Sequence, residues 1–168
     1  MALDENKTTL KEAKAWLRER LDDGAKCPCC TQRAQTYKRK LNSGMAASLL
    51  AIYQRTKQLQ PKDGWLHIPK DFVGADKKLA TVLGNREYAR LRYWGLLEQF
   101  GGPNEDADTR FSGKWRLTKL GEEFVLGEVD VPELMVLYDG RLMKKSTEKT
   151  DIRKALGSRF NYDELMAG

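Results

Sequence analysis

Apolar residues near the start of the chain recur every three or four positions, the spacing of an amphipathic helix. They are Leu10, Ala13, Leu17 and Leu21. Thr9 and Glu12 fit the capping box that begins many helices, and Gly24 is the kind of residue that ends one. The pattern therefore predicts a helix over about residues 9–22.

A longer apolar stripe follows at Tyr37, Leu41, Met45, Leu49 and Ile52. Thr31 is a suitable N-cap, and small residues at positions 44 and 46–48 allow close packing at the middle of the stripe. The pattern predicts a second helix from about Thr31 to Gln58.

The middle of the chain changes to short apolar segments separated by turn residues. The predicted elements are, in order, a strand at "WLHIP", a helical region from about Pro69 with breaks at 74–76 and 84–85, a helix from Arg86 to about Trp94, a strand at about 96–100, an exposed polar loop, a return strand at "KWRLT" and a short helix capped by Thr118.

Large apolar side chains are dense between residues 88 and 97 and recur in the predicted strands on either side, so we expect them to pack in a core. They are Tyr88, Leu91, Trp94, Leu96 and Leu97, together with Trp65 and Trp115. In the tail, Asp139-Gly140 between two apolar-rich runs predicts a two-residue β-hairpin. A last helix is predicted from Thr150 or Asp151 to Gly157.

Composition changes this picture little. The chain has 168 residues, 40% of them apolar and 32% charged, which suits one compact domain with a modest appendage. No apolar run approaches the roughly 20 residues needed to span a bilayer, and the start lacks a secretion signal, so we expect a cytoplasmic protein. The expected fold class is α+β, mainly helical. The expected segments are 1–35, with an N-terminal helix and the "CPCC" turn, 36–126, and a C-terminal hairpin and helix over 127–168.

The order of helix, strand, two helices, strand, loop and strand resembles the winged helix-turn-helix proteins. "LRYWGLLEQ" and "GKWRLTKLGEEFV" resemble the third helix, wing and closing helix of that family, over about residues 40–126. With its "CPCC" lead-in and its ending "FNYDELM", the chain also resembles small winged-helix proteins of bacterial viruses, which would place it in a host cytoplasm. The resemblance implies a winged-helix core within segment 36–126 and binding to double-stranded DNA.

Positive charge is concentrated rather than spread. Residues 36–60 carry Lys38, Arg39, Lys40, Arg55 and Lys57 without an acidic residue, whereas the whole chain has a net charge of only +6. A concentrated basic segment is suited to phosphate, because each neutralised phosphate releases condensed counterions. A solvated helix face is the alternative explanation.

The predicted recognition helix carries Asn85, Arg86 and Arg90 near its start. Arg86 and Arg90 are four positions apart, hence on one face of an α-helix, where arginine can bond guanine and asparagine can bond adenine or a phosphate. Three residues of the predicted wing could clamp the backbone or enter the minor groove: Arg110, Lys114 and Arg116. The wing also carries acidic residues at 105, 106 and 108, which argue against phosphate contact.

Cys27 and Cys30 have the C-x-x-C spacing of a zinc knuckle. His67, the sole histidine, and Cys29 are the other soft ligands in the chain. Three arrangements stay open: a zinc site that uses His67 or Cys29, a site completed across a dimer, and a cap without metal. A thioredoxin-like dithiol is disfavoured, because a helix and a glycine precede the motif rather than a strand.

Motifs for hydrolases or transferases are missing from the sequence: there is no G-x-S-x-G, P-loop or H-E-x-x-H, and one histidine leaves little for acid and base work. We therefore expect a binding module and not an enzyme. The first hypothesis is a winged-helix protein that binds double-stranded DNA and regulates transcription or another DNA transaction. A homodimer would suit a palindromic arrangement of half-sites. The second is a phage-encoded inhibitor that binds a host protein, such as a component of a defence system.

Overall fold

The computed structural model describes residues 3–4, 6–101 and 113–167. These residues form an α+β fold with several small antiparallel sheets. The chain divides into two compact units. Unit 1 comprises residues 1–39 and 135–145, and unit 2 comprises residues 40–134 and 146–168. These boundaries differ from the predicted segments because strand pairing joins residues before position 40 to residues after position 134.

The elements, in chain order, are as follows. The α-helices are α1 (Leu10–Glu19), α2 (Ser43–Leu59), α3 (Ile68–Asp71), α4 (Lys77–Gly84), α5 (Lys119–Val125), α6 (Ile152–Leu156) and α7 (Tyr162–Ala167), with 3₁₀ helices at Lys62–Gly64 and Glu87–Trp94. The strands are β1 (Ala25–Lys26), β2 (Arg33–Ala34), β3 (Tyr37–Lys40), β4 (Trp65–His67), β5 (Leu97–Gln99), β6 (Lys114–Leu117), β7 (Val131–Pro132), β8 (Leu134–Tyr138), β9 (Arg141–Lys145) and β10 (Lys149–Thr150).

In unit 1, helix α1 begins with the predicted capping box. The Thr9 amide donates to Glu12 Oε2 at 2.8 Å, and the Glu12 amide donates to Thr9 Oγ1 at 3.3 Å. These two bonds satisfy amides that would otherwise lack a partner at the helix start. The predicted first helix is confirmed, with its end at Glu19 rather than near position 22.

Two antiparallel sheets make up the rest of unit 1. Strands β1 and β2 form a hairpin, and β3, β8 and β9 form a three-stranded sheet with β8 in the centre. The predicted hairpin turn between β8 and β9 is confirmed. Asp139 has φ 49° and Gly140 has φ 69°, the two positive values that a type I′ turn requires.

The predicted second helix is wrong over its first twelve residues, 31–42. Thr31 has φ 62° and lies in a turn, and residues 33–40 form β2 and β3 instead of helix. Tyr37 is consequently 56% exposed and takes no part in an apolar helical stripe. Helix α2 begins at Ser43, where Asn42 Oδ1 accepts from the Met45 amide at 2.9 Å. Asn42 is the effective cap because its side chain reaches the first turn of the helix.

Helix α2 is the centre of unit 2. Helices α4, α5, α6 and α7 and the 3₁₀ helix Glu87–Trp94 all pack against it. The small residues at its amino-terminal end are buried, as predicted, and Ser48 Oγ donates to the Gly44 carbonyl oxygen at 2.8 Å. Residues 44–50 are all buried, so contacts surround this half of the helix instead of covering one face, whereas residues 57–59 are exposed.

A three-stranded antiparallel sheet in the order β4-β6-β5 lies in the same unit. Leu66 pairs with Trp115 across one side of β6, and Gln99 pairs with Trp115 across the other. The three predicted strands are confirmed, as is the helix capped by Thr118, whose Oγ1 accepts from the Gly121 amide at 3.0 Å.

Most of the predicted core is confirmed. The buried residues include Tyr88, Leu91, Trp94, Leu96, Leu97 and Trp115, whereas Trp65 is half-buried. Trp94 Nε1 donates to the Pro132 carbonyl oxygen at 2.6 Å, which satisfies the polar atom of a buried ring. The predicted helix after position 150 is also present as α6, which ends at Gly157. Helix α7 follows it and was not predicted.

None of the helices in the described part of the chain combines the length and the apolar character that crossing a bilayer requires.

A glycine in α5 gives a test of this packing. A Cβ on Gly121 would collide with the Leu96 carbonyl oxygen, which is backbone and cannot rotate away. We expect Gly121→Ala to lower the free energy of unfolding by about 1–3 kcal/mol, measured by urea denaturation followed by circular dichroism. Gly84→Ala in α4 is the control, because a Cβ there meets nothing within 4 Å. The control should gain up to about 1 kcal/mol, and equal effects of the two variants would contradict the described packing.

Candidate nucleic-acid interface

The predicted recognition helix is not an α-helix. Residues Glu87–Trp94 form a 3₁₀ helix, and Arg86 before it has φ 58° in the left-handed region. Asn85 belongs to the end of α4, where its amide donates to the Thr81 carbonyl oxygen at 3.1 Å. The prediction that Arg86 and Arg90 share one α-helical face is therefore wrong. The cause is visible in the core, since Tyr88, Leu91 and Trp94 are buried with the three-residue period of a 3₁₀ helix.

Arg86 and Arg90 both have partners within the protein. Arg90 Nη1 lies 3.1 Å from Glu87 Oε1, while Glu87 Oε2 accepts from Asn42 Nδ2 at 3.0 Å. Arg86 interacts with the Tyr88 hydroxyl: burial raises the pKa of Tyr88, and the hydrogen bond and charge of Arg86 act in the opposite direction. Arg86 and Arg90 thus contribute to local structure and present less free positive charge than the sequence implies.

The described wing residues are engaged in a similar way. Arg116 donates to Glu98 Oε2 from Nη2 at 2.6 Å and from Nε at 3.0 Å. Its guanidinium also lies over the Trp65 ring at 4.4 Å, and Lys114 Nζ lies 5.1 Å from the Phe100 ring centre. Arg110 lies outside the described residues.

The basic segment 36–60 is split by the fold. Lys40 Nζ pairs with Glu133 Oε1 at 2.9 Å, and Lys57 Nζ pairs with Glu122 Oε1 at 2.8 Å. The hydrogen bond and charge of Glu122 raise the pKa of Lys57. Lys38 and Arg39 differ from these lysines, because they are exposed on β3 and no acidic side chain among the described residues pairs with them.

Strand β9 adds basic residues to the same three-stranded sheet. The two outer strands of that sheet carry five exposed basic residues for which the structure gives no acidic partner among the described residues; we name this set the basic sheet: Lys38, Arg39, Arg141, Lys144 and Lys145. The central strand β8 carries no charge, with Met135 and Leu137 buried. The neutral, partly buried strand β8 therefore lies between two basic strands, β3 on one side and β9 on the other.

The register shows how part of the basic sheet is arranged. Val136 pairs with Lys144, and Tyr138 pairs with Arg141. Lys38 and Lys144 line one open cleft of about 600 Å³ together with Val136. Asp22 also borders this cleft, where its Oδ1 accepts from Thr36 Oγ1 at 2.9 Å. The cleft therefore brings lysines from two strands that are 106 positions apart in the chain into one surface.

Sequence reasoning missed the β9 half of this set. Residues 127–168 contain 7 basic and 8 acidic side chains, so the tail as a whole looks neutral. The signal lies in the short run "RLMKK", which has no acidic residue between Gly140 and Ser146. A shorter window would have found the charge, but only the pairing of β3, β8 and β9 places it beside Lys38 and Arg39.

The predicted zinc ligands are not gathered into one cluster. The described residues contain no group of three or more His, Cys, Asp or Glu side chains that could hold a metal ion, so Cys27, Cys30 and His67 do not form such a group. His67 instead caps α3, where its Nδ1 accepts from the Lys70 amide at 3.3 Å.

Comparisons of the chain with protein-family models, with curated proteins and with solved structures gave no significant match.

Substitution of Arg116 and of Lys38 tests which basic side chains contribute to the stability of the fold. Arg116→Ala removes the bonds to Glu98 and the stacking on Trp65, so we expect a loss of about 1 kcal/mol in the free energy of unfolding. Lys38→Ala removes an exposed side chain without an acidic partner and should change that free energy by less than about 0.5 kcal/mol. Urea denaturation measures both. A larger loss for Lys38→Ala than for Arg116→Ala would contradict the described contacts.

Proposed function

We propose that this protein binds double-stranded DNA and that the basic sheet of unit 1 contacts the phosphate backbone. The observation that supports the proposal is the presence of five exposed basic side chains, without acidic partners among the described residues, on the two outer strands of one sheet. Phosphate contacts of this kind supply most of the non-specific affinity of DNA-binding proteins, because they release counterions.

The spacing of the strands suits a duplex. Neighbouring strands lie about 4.8 Å apart, so β3 and β9, on either side of β8, are separated by about 10 Å. The major groove is about 12 Å wide, which lets basic residues on the two outer strands approach phosphates at both of its edges. Tyr138 and Val136 lie between these rows and would face the groove or the sugars.

We also propose a winged-helix core in unit 2. The order α2, β4, α3, α4, the 3₁₀ helix Glu87–Trp94, β5 and β6, with a sheet in the order β4-β6-β5, agrees with the family that the sequence resembles. The segment in the position of the recognition helix holds Arg90 in a pair with Glu87. For that reason we assign the main phosphate contacts to unit 1, and the winged-helix core serves as the scaffold of unit 2.

A second candidate function is binding to a protein with an acidic surface, such as a host protein. Two apolar side chains support it, because they are exposed on β9 among the basic residues: Leu142 at 37% and Met143 at 51%. DNA contacts alone give no reason for exposed apolar side chains at these positions.

Fluorescence anisotropy with a labelled random-sequence duplex at several salt concentrations tests the first candidate. The variants are Lys38→Gln with Arg39→Gln, and Lys144→Gln with Lys145→Gln. Neighbouring residues of a strand point to opposite faces of the sheet, so one residue of each pair can reach a duplex on one face. Each contact contributes about 0.9 to the slope of log K against log salt, so each double variant should lower the slope by about 0.9.

The matched control is Lys11→Gln with Lys14→Gln, which removes the same charge from exposed positions of α1. It should change the slope much less than the sheet variants do. Arg86→Ala with Arg90→Ala should likewise have the smaller effect. Absence of binding at about 50 mM salt would exclude the DNA proposal and favour the protein partner. A control effect equal to that of the sheet variants would exclude the basic sheet as the contact surface.

A further inference from the structure

Backbone amides surround the Cys27 sulfur in the turn that carries the three cysteines. Residues 27–32 connect β1 to β2. The Cys27 amide donates to the Gln32 carbonyl oxygen at 2.8 Å, and the Thr31 amide donates to the Cys27 carbonyl oxygen at 2.9 Å. The Cys27 sulfur accepts hydrogen bonds from the backbone amides of Cys29 and Cys30. Amide donors around one sulfur are a feature of thiolate metal ligands, since second-shell hydrogen bonds orient and stabilise them.

The backbone conformation of Thr31, directly after Cys30, also contributes to this turn. Thr31 has φ 62°, a left-handed conformation that is costly for a β-branched residue. This conformation lets the chain turn sharply behind Cys30 and return as β2. The short β1–β2 pairing, with Lys26 opposite Arg33, holds the two ends of the turn together.

The three cysteines differ in whether they line the cleft beside the turn. Cys27 and Cys30 both line one open cleft of about 350 Å³, and Cys29 is not among the residues that line it. Both Cys29 and Cys30 form side-chain hydrogen bonds with Cys27, so it is the shared cleft that distinguishes Cys30 from Cys29. The pair with C-x-x-C spacing is therefore the pair that the fold directs to one place, and Cys29 provides a natural control.

Two sulfurs are half of a tetrahedral zinc site, which takes four ligands. Within the described residues no group of three or more possible ligands occurs, so a third ligand does not accompany the pair. The pair is open to solvent: Cys30 is exposed, and Cys27 is half-buried. A second copy of the same chain can supply the same two sulfurs through a twofold axis, as the isologous contacts of homodimers do.

The charges next to the turn suit this arrangement. Four thiolates around one Zn²⁺ leave a net charge of −2, and each chain places Lys26 and Arg33 directly beside its cysteines. Both residues are exposed, and Arg33 bonds only to the neutral Gln35 amide among the partners that the structure gives it. Two chains therefore offer four positive charges around the site.

We propose that Cys27 and Cys30 of two copies of this chain bind one Zn²⁺ and so join the copies into a dimer. Each thiol gives up its proton on binding, and no oxidation is involved. The proposal does not depend on DNA binding, because the cysteine turn and the basic sheet are tested by different variants and different measurements.

The test combines elemental analysis with light scattering on the full chain, purified with a phosphine reductant and incubated with zinc chloride before removal of excess metal. We expect one zinc per two chains and the mass of a dimer. A chelator should remove the metal and give the mass of a single chain. The reductant excludes a disulfide-linked dimer, which would persist in the presence of chelator and would separate into single chains on reduction.

Matched variants decide which sulfurs act. Cys27→Ser and Cys30→Ser should each lose the zinc and the dimer, whereas Cys29→Ser should keep both, and circular dichroism checks that each variant is folded. Cobalt in place of zinc should give the visible absorption of a tetrahedral thiolate site, at one cobalt per two chains. A metal ratio near zero, one zinc per chain with the mass of a single chain, or a dimer that survives both chelator and Cys30→Ser would each overturn the proposal.

Discussion

Burial of the amino-terminal half of α2 on all sides is the constraint on which unit 2 depends. Four helices and a 3₁₀ helix pack against it, and small residues at its start let them come close. Interiors packed at crystal-like density tolerate little change in shape, so the neighbours of α2 must adopt the periods that fit it. The 3₁₀ helix after Arg86 is one result, because its three-residue spacing buries Tyr88, Leu91 and Trp94 together.

This packing also decides which charges are free. Arginines in the segment that follows α4 and in β6 lie beside carboxylates and aromatic rings of their own unit, where they support the fold. In unit 1 the core is small, and the outer strands β3 and β9 have little to pack against. Their exposed basic side chains stay in water, which leaves them available to an anionic partner. The proposed division of labour between scaffold and contact surface follows from this difference.

Local signals in the sequence predicted the elements well wherever a side chain bonds to its own backbone neighbours. Thr9, Thr118 and Asp151 each cap the helix that was expected after them, and Asp139-Gly140 forms the expected turn. Thr31 shows the limit of such signals. Its hydroxyl could cap a helix, but strands β2 and β3 give the following backbone other hydrogen bonds. The helix therefore begins only after Asn42, which caps it.

The sequence by itself determined the α+β class, the short strands, most of the core and the C-x-x-C spacing, because propensity, capping and apolar period act over a few residues. Only the tertiary structure decided which basic residues share a surface. Lys38 and Lys144 line one cleft because β3, β8 and β9 pair in one sheet. Lys40, in contrast, forms an ion pair with Glu133. Such placements depend on contacts between distant parts of the chain, and no local pattern encodes them.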